Sequence, residues 1–356
     1  MKRKAATAHK AGEEGTTAMK SAIVGCGSIA KVHAGCISRL EPAELTAVAD
    51  YVPEQADKMA SEYGVKPYYD LETMLDQEEI DVLHICTPHY LHVPMAAAAL
   101  KRGIHVFMEK PPVIDNGQWE QLTQSVKEAA GGARLGICFQ NRFNNSVCYV
   151  KEQLEKGIYG RILCARGLVN WHRDEAYYRN SSWRGRWETE GGGALINQSV
   201  HTLDLLQYFI GEKPLSMDAV MDNQHLKGII EVEDTMAATI VYPDAAASFY
   251  VTTGYGADLP PLVELECEKA RVRIEEETVT VRMKDGGRLE QDFNDGGRLG
   301  KSYWGAGHMK CIRTFYECME SGTPYPMELN AMEHTVWLML KAYETAKSKY
   351  NGEGRD

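Results

Sequence analysis

The sequence predicts an α/β protein: a doubly wound parallel sheet first, then an α+β domain on a large, mostly antiparallel open sheet. Three observations carry this. Short apolar runs alternate with helical patterns from Lys20 to about Gln140, as expected of strands buried on both faces. Beyond Gln140 the runs lengthen and alternate with period two, the mark of a sheet with one solvated face. At 356 residues the chain also exceeds what one ordinary core fills. The expected division is 1–18 as a disordered tail, 19–140 as the parallel-sheet domain and 141–350 as the α+β domain.

The elements follow in order. The start, "MKRKAATAHKAGEEGTTAM", is polar and lacks the apolar stretch of a signal peptide, so it reads as a tail, with Met19 open as an alternative first residue. "KSAIVGCG" is a short buried strand and "SIAKVHAGCISRL" a helix. "ELTAVADY" is the second strand, and "VPEQADKMASEYG" a helix opened by Pro53 and closed by Gly64. "DVLHICTP", "HVFMEKPP" and "RLGICFQ" continue the strands, separated by the helices "HVPMAAAALKRG" and "NGQWEQLTQSVKEAAGG". After the helix "NNSVCYVKEQLEKGIYG" come the strands "RILCARGLVNWH", "EDTMAATIVY", "AAASFYVTTGY" and "VELECEKARVRIEEETVTVRM", with "KDGG" and "NDGG" turns. "GHMKCIRTFYECMESG" and "NAMEHTVWLMLKAYETAKS" are closing helices.

Composition narrows the function. A formal net charge of -11 argues against a nucleic-acid binder, which needs clustered Lys and Arg. No apolar run approaches the roughly 18 residues of a membrane span. The nine cysteines include no C-x-x-C pair, which predicts free thiols in a reducing cytoplasm and no zinc framework.

"AIVGCGSIA" places Gly25, Gly27 and Ala30 in a G-x-G-x-x-A turn after a strand and before a helix. Gly25 permits the tight turn, Gly27 lets the backbone approach a pyrophosphate, and Ala30 keeps helix and strand close. Ser28 and Ile29 open the helix whose N-terminus faces the phosphate charge. Asp50 ends the second strand, where a ribose-binding acid belongs, and "YVPE" after it offers no Arg for a 2′-phosphate, so NAD is favoured over NADP. The bland alternative is a plain glycine turn.

Two more strands end in polar residues on the ligand-binding edge of such a sheet. "ICTPHYLH" brings Thr87 and Pro88 to the nicotinamide half, with His92 behind them. "HVFMEKPP" brings Glu109 and Lys110, and a lysine beside a partly dry crevice needs a partner, for which Glu109 is the candidate. The alternative is a Glu–Lys pair in an ordinary loop. Downstream, "EGGGALINQSVHTLDLL" puts Asn197, His201 and Asp204 at i, i+4 and i+7, on one helix face. By itself this is a capped core helix with a satisfied histidine; the alternative is a catalytic wall. A metal site on these three is disfavoured because amides are poor transition-metal ligands.

In this order and spacing, "GCGSIAKVH", "EKPP" and "GGGALINQSVHTLDLL" resemble the Gfo/Idh/MocA oxidoreductases, and the likeness extends through "YYRNSSWRGRWETEGGG" and "YWGAGH". The resemblance implies a Rossmann domain followed by a substrate domain whose open sheet serves in dimer or tetramer contacts. It implies hydride transfer between NAD(P) and a carbon-bound hydroxyl of a sugar, sugar derivative or cyclitol. It places the catalytic lysine on Lys110 and the catalytic histidine on His201. Many members carry an aspartate one turn before that histidine; this chain has Asn197, so no carboxylate relay runs through that position. In "TPHYLH", His89 stands where Asn is usual, and His92 fits the pattern.

These residue types suit the chemistry. Removing a hydride from a carbinol requires a base for the hydroxyl proton, the role of His201. Lys110 donates to the developing oxygen charge. Asn197 fixes the substrate or the histidine ring by its amide, and Asp204 is held as structural. The stretch "NWHRDEAYYRNSSWRGRW" is dense in aromatics and guanidinium groups suited to sugar rings; its alternative is an interface arm. Arg142, Tyr178, Trp183 and Arg184 are the expected pocket residues, with Tyr303 and His308 behind them. The three glycines are expected to let substrate and cofactor approach a bare helix N-terminus. Competing functions are a glycosidase or epimerase that retains NAD through transient oxidation, and a nucleotide-sensing regulator, against which Lys110 and His201 together count.

Overall fold

The computed structural model describes residues 18–41, 43–296 and 307–350. Residues 1–17 of the expected tail and Tyr303 lie outside them. In the first half, β1 (Met19–Val24), α1 (Ser28–Ile37), β2 (Ala43–Ala49), α2 (Pro53–Tyr63), β3 (Lys66–Tyr68), α3 (Leu71–Gln77), β4 (Val82–Ile85), α4 (His92–Lys101), β5 (His105–Glu109), α5 (Asn116–Lys127) and β6 (Leu135–Cys138) alternate as expected. All strand pairs are parallel, in the order β3-β2-β1-β4-β5-β6. Gly64 closes α2 in the left-handed conformation, φ +70°, as its position after the last apolar turn predicts. β3 and α3 are additions to the sequence reading; three residues of half-exposed strand carry no period to detect.

After α6 (Asn145–Glu155), a second sheet of eight strands forms, in the order β14-β13-β12-β11-β7-β10-β9-β8. These are β7 (Ile162–Asn170), β8 (Ser216–Asp222), β9 (Thr235–Val241), β10 (Ala246–Thr252), β11 (Leu262–Cys267), β12 (Ala270–Glu275), β13 (Thr278–Met283) and β14 (Arg288–Asp292). Every pair is antiparallel except β7 with β10. Ala165, Gly167 and Val169 of β7, with Ala247, Phe249 and Val251 of β10, point inward; Arg166, Ser248 and Tyr250 point out. The inward face packs against α8 (Val200–Ile210) and α10 (Leu329–Tyr350). The edge strands β8 and β14 complete the sheet beyond the sequence reading.

The chain then returns to the first half. α9 (Gly307–Ser321) packs on α1, and Phe315 lies against Phe107 with ring centroids 5.1 Å apart. Beyond it, the Ile137 N–H donates to the Met327 carbonyl at 3.0 Å, extending the parallel sheet past β6. The segment after Gln140 is therefore not confined to the second sheet.

The glycine run is packed tightly. A Cβ on Gly191 would meet Ile114 at 2.4 Å, one on Gly192 would meet the Tyr343 hydroxyl at 2.0 Å, and one on Gly193 the Glu233 carbonyl at 2.1 Å. These glycines admit neighbouring protein, which corrects the expectation that they leave room for substrate. The backbone then runs through a π-helical turn, Ala194–Ser199, before α8 begins. Glu233, fully buried, accepts from the N–H groups of Gly193 and Leu195, both at 2.9 Å, and from the Tyr343 hydroxyl. Burial pushes its carboxyl up to about 7 against those donors.

Arg142 forms a bidentate pair with Asp204, Nε to Oδ2 at 2.8 Å and Nη2 to Oδ1 at 2.6 Å, and the Thr335 hydroxyl adds 2.7 Å to Oδ1. Both charges are buried, and the trio ties the turn after β6 to α8 and α10. Asp204→Asn leaves the guanidinium buried without a counter-charge. It should cost about 3–5 kcal/mol in urea unfolding; a loss below about 1 kcal/mol would show that the pair does not hold these elements together.

Candidate active site

A cleft of about 510 Å³ runs along the C-terminal ends of the parallel strands and is closed by residues 171–184 and 197–202. Its nucleotide half begins at Gly25, whose N–H donates to the Ala49 carbonyl at 2.8 Å. Its φ of +87° and a Cβ contact of 2.7 Å with the Cys86 backbone exclude any side chain. Nothing lies within 4 Å of where a Cβ on Gly27 would stand, and Gly27 opens α1 with no side-chain cap. The first N–H groups of the helix, at Ser28 and Ile29, therefore face open space suited to a phosphate. Ala30 is buried behind them and packs the helix on the sheet.

Asp50 is held by two backbone donors, Cys26 N–H at 2.7 Å and Val52 N–H at 2.9 Å, and lines the cleft beside Tyr51 and Gln55. Thr87, Pro88 and His92 line the next section; the Thr87 hydroxyl is buried without a partner among the described residues. His92 bridges the carbonyls of Pro111 (2.7 Å) and Thr87 (3.0 Å), bracing two strand ends against each other. A glycine cradle, an acid after β2 and an orphaned hydroxyl in series fit a dinucleotide.

Lys110 and His201 meet at the inner end. Lys110 Nζ donates to the Asn197 backbone carbonyl at 2.8 Å. Glu109, the expected partner, instead bonds His33 Nε2 at 3.0 Å; His33 in turn meets His84 at 2.9 Å, and His84 the Tyr316 hydroxyl at 2.8 Å. The carboxylate is ideally placed for that buried chain and still lies beside the lysine as a charge. Burial opposes ionisation of Glu109, but the His33 bond and nearby positive groups outweigh it and hold the carboxyl far below its ordinary range. Burial lowers Lys110, with Glu109 opposing.

His201 is half-buried. Its Nδ1 is buried without a partner among the described residues, so the ring meets the cleft through the edge bearing Nε2, which accepts from the Gln140 amide at 3.2 Å. Burial, then the Lys110 charge, drive the imidazole well below its ordinary pKa. It is neutral at physiological pH and free to accept a proton. His308 lines the same end, pushed down to about 4 by burial.

Other expected residues are redistributed. Asn197 and His201 share the cleft, and Asp204, held as structural from the sequence, is turned to Arg142 and Thr335, so the three-residue metal alternative does not assemble. The π turn places Asn197 on a coarser spiral than the i, i+4, i+7 spacing assumes. Arg142 is consequently a core residue and no part of the pocket. Tyr178 faces a small core with Leu226, Ile230 and Val232, while its neighbour Tyr177 lines the cleft. Adjacent residues on the short helix α7 (Glu175–Arg179) face different ways, and the sequence carries no phase for so short a helix. Trp183 and Arg184 do line the cleft; Trp183 packs on His89 with centroids 4.7 Å apart. Sequence reading missed Gln140, Arg173, Tyr177, Gln198 and Glu190. Gln140 follows the end of β6 and was reachable by the strand-end rule applied to Thr87 and Lys110. Glu190 is fully buried behind Asn197, with its carboxyl pushed up to about 8 by burial despite N–H donors from Gly185 and Asn197.

Comparison with known proteins finds two family matches in order along the chain. Residues 19–135 match the oxidoreductase family with an NAD-binding Rossmann fold, and residues 147–273 match the GFO/IDH/MocA C-terminal domain. The D-glucoside 3-dehydrogenase of Escherichia coli is 30% identical over 202 residues, 54% of each chain. The levoglucosan dehydrogenase of Pseudarthrobacter phenanthrenivorans is 28% identical over 224 residues, 56% of each. The chain thus spans about half the length of the curated relatives it matches. The WlbA dehydrogenase from Bordetella pertussis, solved with NADH and UDP-GlcNAcA, superposes with a TM-score of 0.81 at 28% identity, covering 94% of this chain and 98% of that one. With both of its halves matched in order, the chain belongs to the Gfo/Idh/MocA oxidoreductase family.

Proposed function

We propose that this protein is an NAD-dependent dehydrogenase that transfers a hydride between the nicotinamide and a secondary hydroxyl or keto carbon of a sugar, sugar derivative or cyclitol. The observation that carries the reading is the convergence of Lys110, Asn197 and His201 at the inner end of a dinucleotide-shaped cleft. Bound NAD supplies the hydride acceptor at the carbinol carbon. Neutral His201 takes the hydroxyl proton through Nε2, exchanging its Gln140 contact for the substrate oxygen. Lys110, anchored on the Asn197 carbonyl, donates to the same oxygen as charge develops. In the reverse direction protonated His201 returns that proton to the carbonyl oxygen while Lys110 donates a hydrogen bond to it. Asp50 would hold the ribose hydroxyls and the start of α1 the pyrophosphate.

The outer cleft suits a sugar. The Arg173 guanidinium lies 5.0 Å over Trp171 and 5.3 Å over Tyr177, and Arg184 lies 4.7 Å over Tyr177 and 4.8 Å over Trp183. Aromatic faces with fixed donors between them match the apolar and hydroxyl faces of a pyranose or cyclitol ring. Nothing specific to the geometry favours a retained-cofactor glycosidase or epimerase.

The reading includes a homodimer or homotetramer. Its support is the uncovered sheet face, where Val220, Ala237, Tyr250, Leu168 and Leu262 stand in one cross-strand row beside the Arg166–Glu264 and Arg271–Glu266 pairs. A cytoplasmic location is supported by nine unpaired cysteines, and no helix among the described residues is long and apolar enough to cross a membrane.

Three outcomes follow. Lys110→Ala and His201→Ala should each lower kcat by about a hundredfold or more, read as NADH absorbance over a screen of sugars, sugar acids and inositols, while NAD binding by fluorescence stays near wild type. Near-wild-type turnover in both would overturn the mechanism; consumption of a glycoside without NADH would assign retained-cofactor chemistry. With saturating NAD, kcat/KM should stay flat through neutrality. Its acid limb should lie below the ordinary histidine value of about 6.5 and its alkaline limb below the ordinary lysine value of about 10.4, because burial lowers both groups; a limb above either value would misassign that residue. Light scattering should give a dimeric or tetrameric mass that Tyr250→Glu with Val220→Glu reduces to the monomer; a monomeric wild type would exclude the sheet-face contact.

A further inference from the structure

Asn197 is clamped from both ends. Its backbone carbonyl takes the Lys110 ammonium, and its side-chain Nδ2 donates to Glu190 Oε1 at 2.5 Å. Glu190 is itself immobilised: Oε2 accepts from the Gly185 N–H at 2.5 Å, and its backbone carbonyl bonds His89 Nδ1 at 2.8 Å. The residue has no exposed surface. With the acid ionised, above its value of about 8, Oε2 holds the Gly185 N–H and Oε1 takes the NH₂ of the Asn197 amide. The NH₂ turns inward and Oδ1 turns the other way. Asn197 lines the cleft, and Oδ1 has no hydrogen-bond partner among the described residues.

We propose that Glu190 is a positioning residue that fixes the Asn197 amide so that Oδ1 accepts a hydrogen bond from a substrate hydroxyl beside Lys110 and His201. The inference rests on the dehydrogenase reading above and adds to it a residue outside the cleft lining. It also accounts for the amide at position 197. An aspartate there would set a second carboxylate against Glu190, and two such groups at hydrogen-bond distance must share a proton. The acid and the amide are one unit, with the acid behind and the amide in front.

The unit predicts that exchanging its members restores it. In Glu190→Gln the new side chain keeps its oxygen on Gly185 and turns NH₂ toward Asn197, whose amide must rotate and present a donor to the cleft. In Asn197→Asp two acids face each other. In the double variant the new glutamine donates to the new aspartate, whose second oxygen again faces the cleft as an acceptor. Assayed above about pH 8, where Glu190 is ionised, each single variant should lower kcat/KM about tenfold or more. The double should recover to within about threefold of wild type, with NAD affinity within about twofold throughout. A double variant no better than the product of the singles, or Glu190→Gln at wild-type kcat/KM, would overturn the proposal.

A second arm needs no turnover. In ligand-free protein labelled with ¹⁵N-asparagine and held above about pH 8, where Glu190 is ionised, the Asn197 side-chain amide, assigned by its loss in Asn197→Asp, should be shifted downfield by the carboxylate and move upfield in Glu190→Gln. An unmoved resonance would overturn the clamp. If the wild type acts on no polyol, the dehydrogenase reading fails and this resonance alone decides the clamp.

Discussion

A lysine ammonium cannot be left unpartnered in a partly dry cleft, and here its partner is a backbone carbonyl from the other half of the molecule. The 2.8 Å bond from Lys110 to the Asn197 carbonyl joins the end of β5 to the π turn before α8. A carbonyl satisfies one of the three ammonium donors without neutralising the charge. The remaining donors and the full charge are left for the substrate oxygen. Had Glu109 closed a direct ion pair with Lys110, that charge would have been spent locally. Instead Glu109 is committed to His33 and acts on the lysine from a distance.

That bond requires the π turn to be held at one height over the sheet. Three packed glycines, the Glu233 carboxylate and the Tyr343 hydroxyl do this, and each depends on a side chain brought from far along the sequence. The Arg142–Asp204–Thr335 trio does the same for α8. Arg142, a pocket residue by its type, is in fact one of the fasteners that aim His201 into the cleft. The division between fastening and reacting groups follows from pairing. Asp204 has both oxygens satisfied within the fold, whereas Asn197 Oδ1 has no partner among the described residues and His201 Nε2 holds only the Gln140 amide at 3.2 Å.

Much of this was legible in the chain. Period-two and helical patterns predicted both sheets; β3, β14 and the short helices bury too few residues to leave a period, whereas β8 alternates through Met217 and Ala219 over a run too short and too charged to stand out. The strand-end rule located Asp50, Thr87, Lys110 and, had it been pressed one strand further, Gln140. The errors have one source. Arg142, Tyr178 and the glycines were assigned by residue type to the pocket, but a guanidinium, a phenol or a bare backbone serves equally well in a core once a partner arrives. Tyr303 falls outside the described residues.

The order of elements, the glycine cradle and the residue types that a hydride transfer needs can be read along the chain, because these rest on local periodicity and on spacing within single strand–turn–helix units. Which polar groups are consumed internally and which remain available depends on the folded arrangement. Glu190 behind Asn197, Asp204 on Arg142 and Glu109 on His33 are settled by hydrogen bonds that span 7, 62 and 76 residues. The latter two join residues on different elements, and the first crosses the packed glycine run. A buried polar atom must find a partner wherever the fold supplies one, and linear order carries no record of that match.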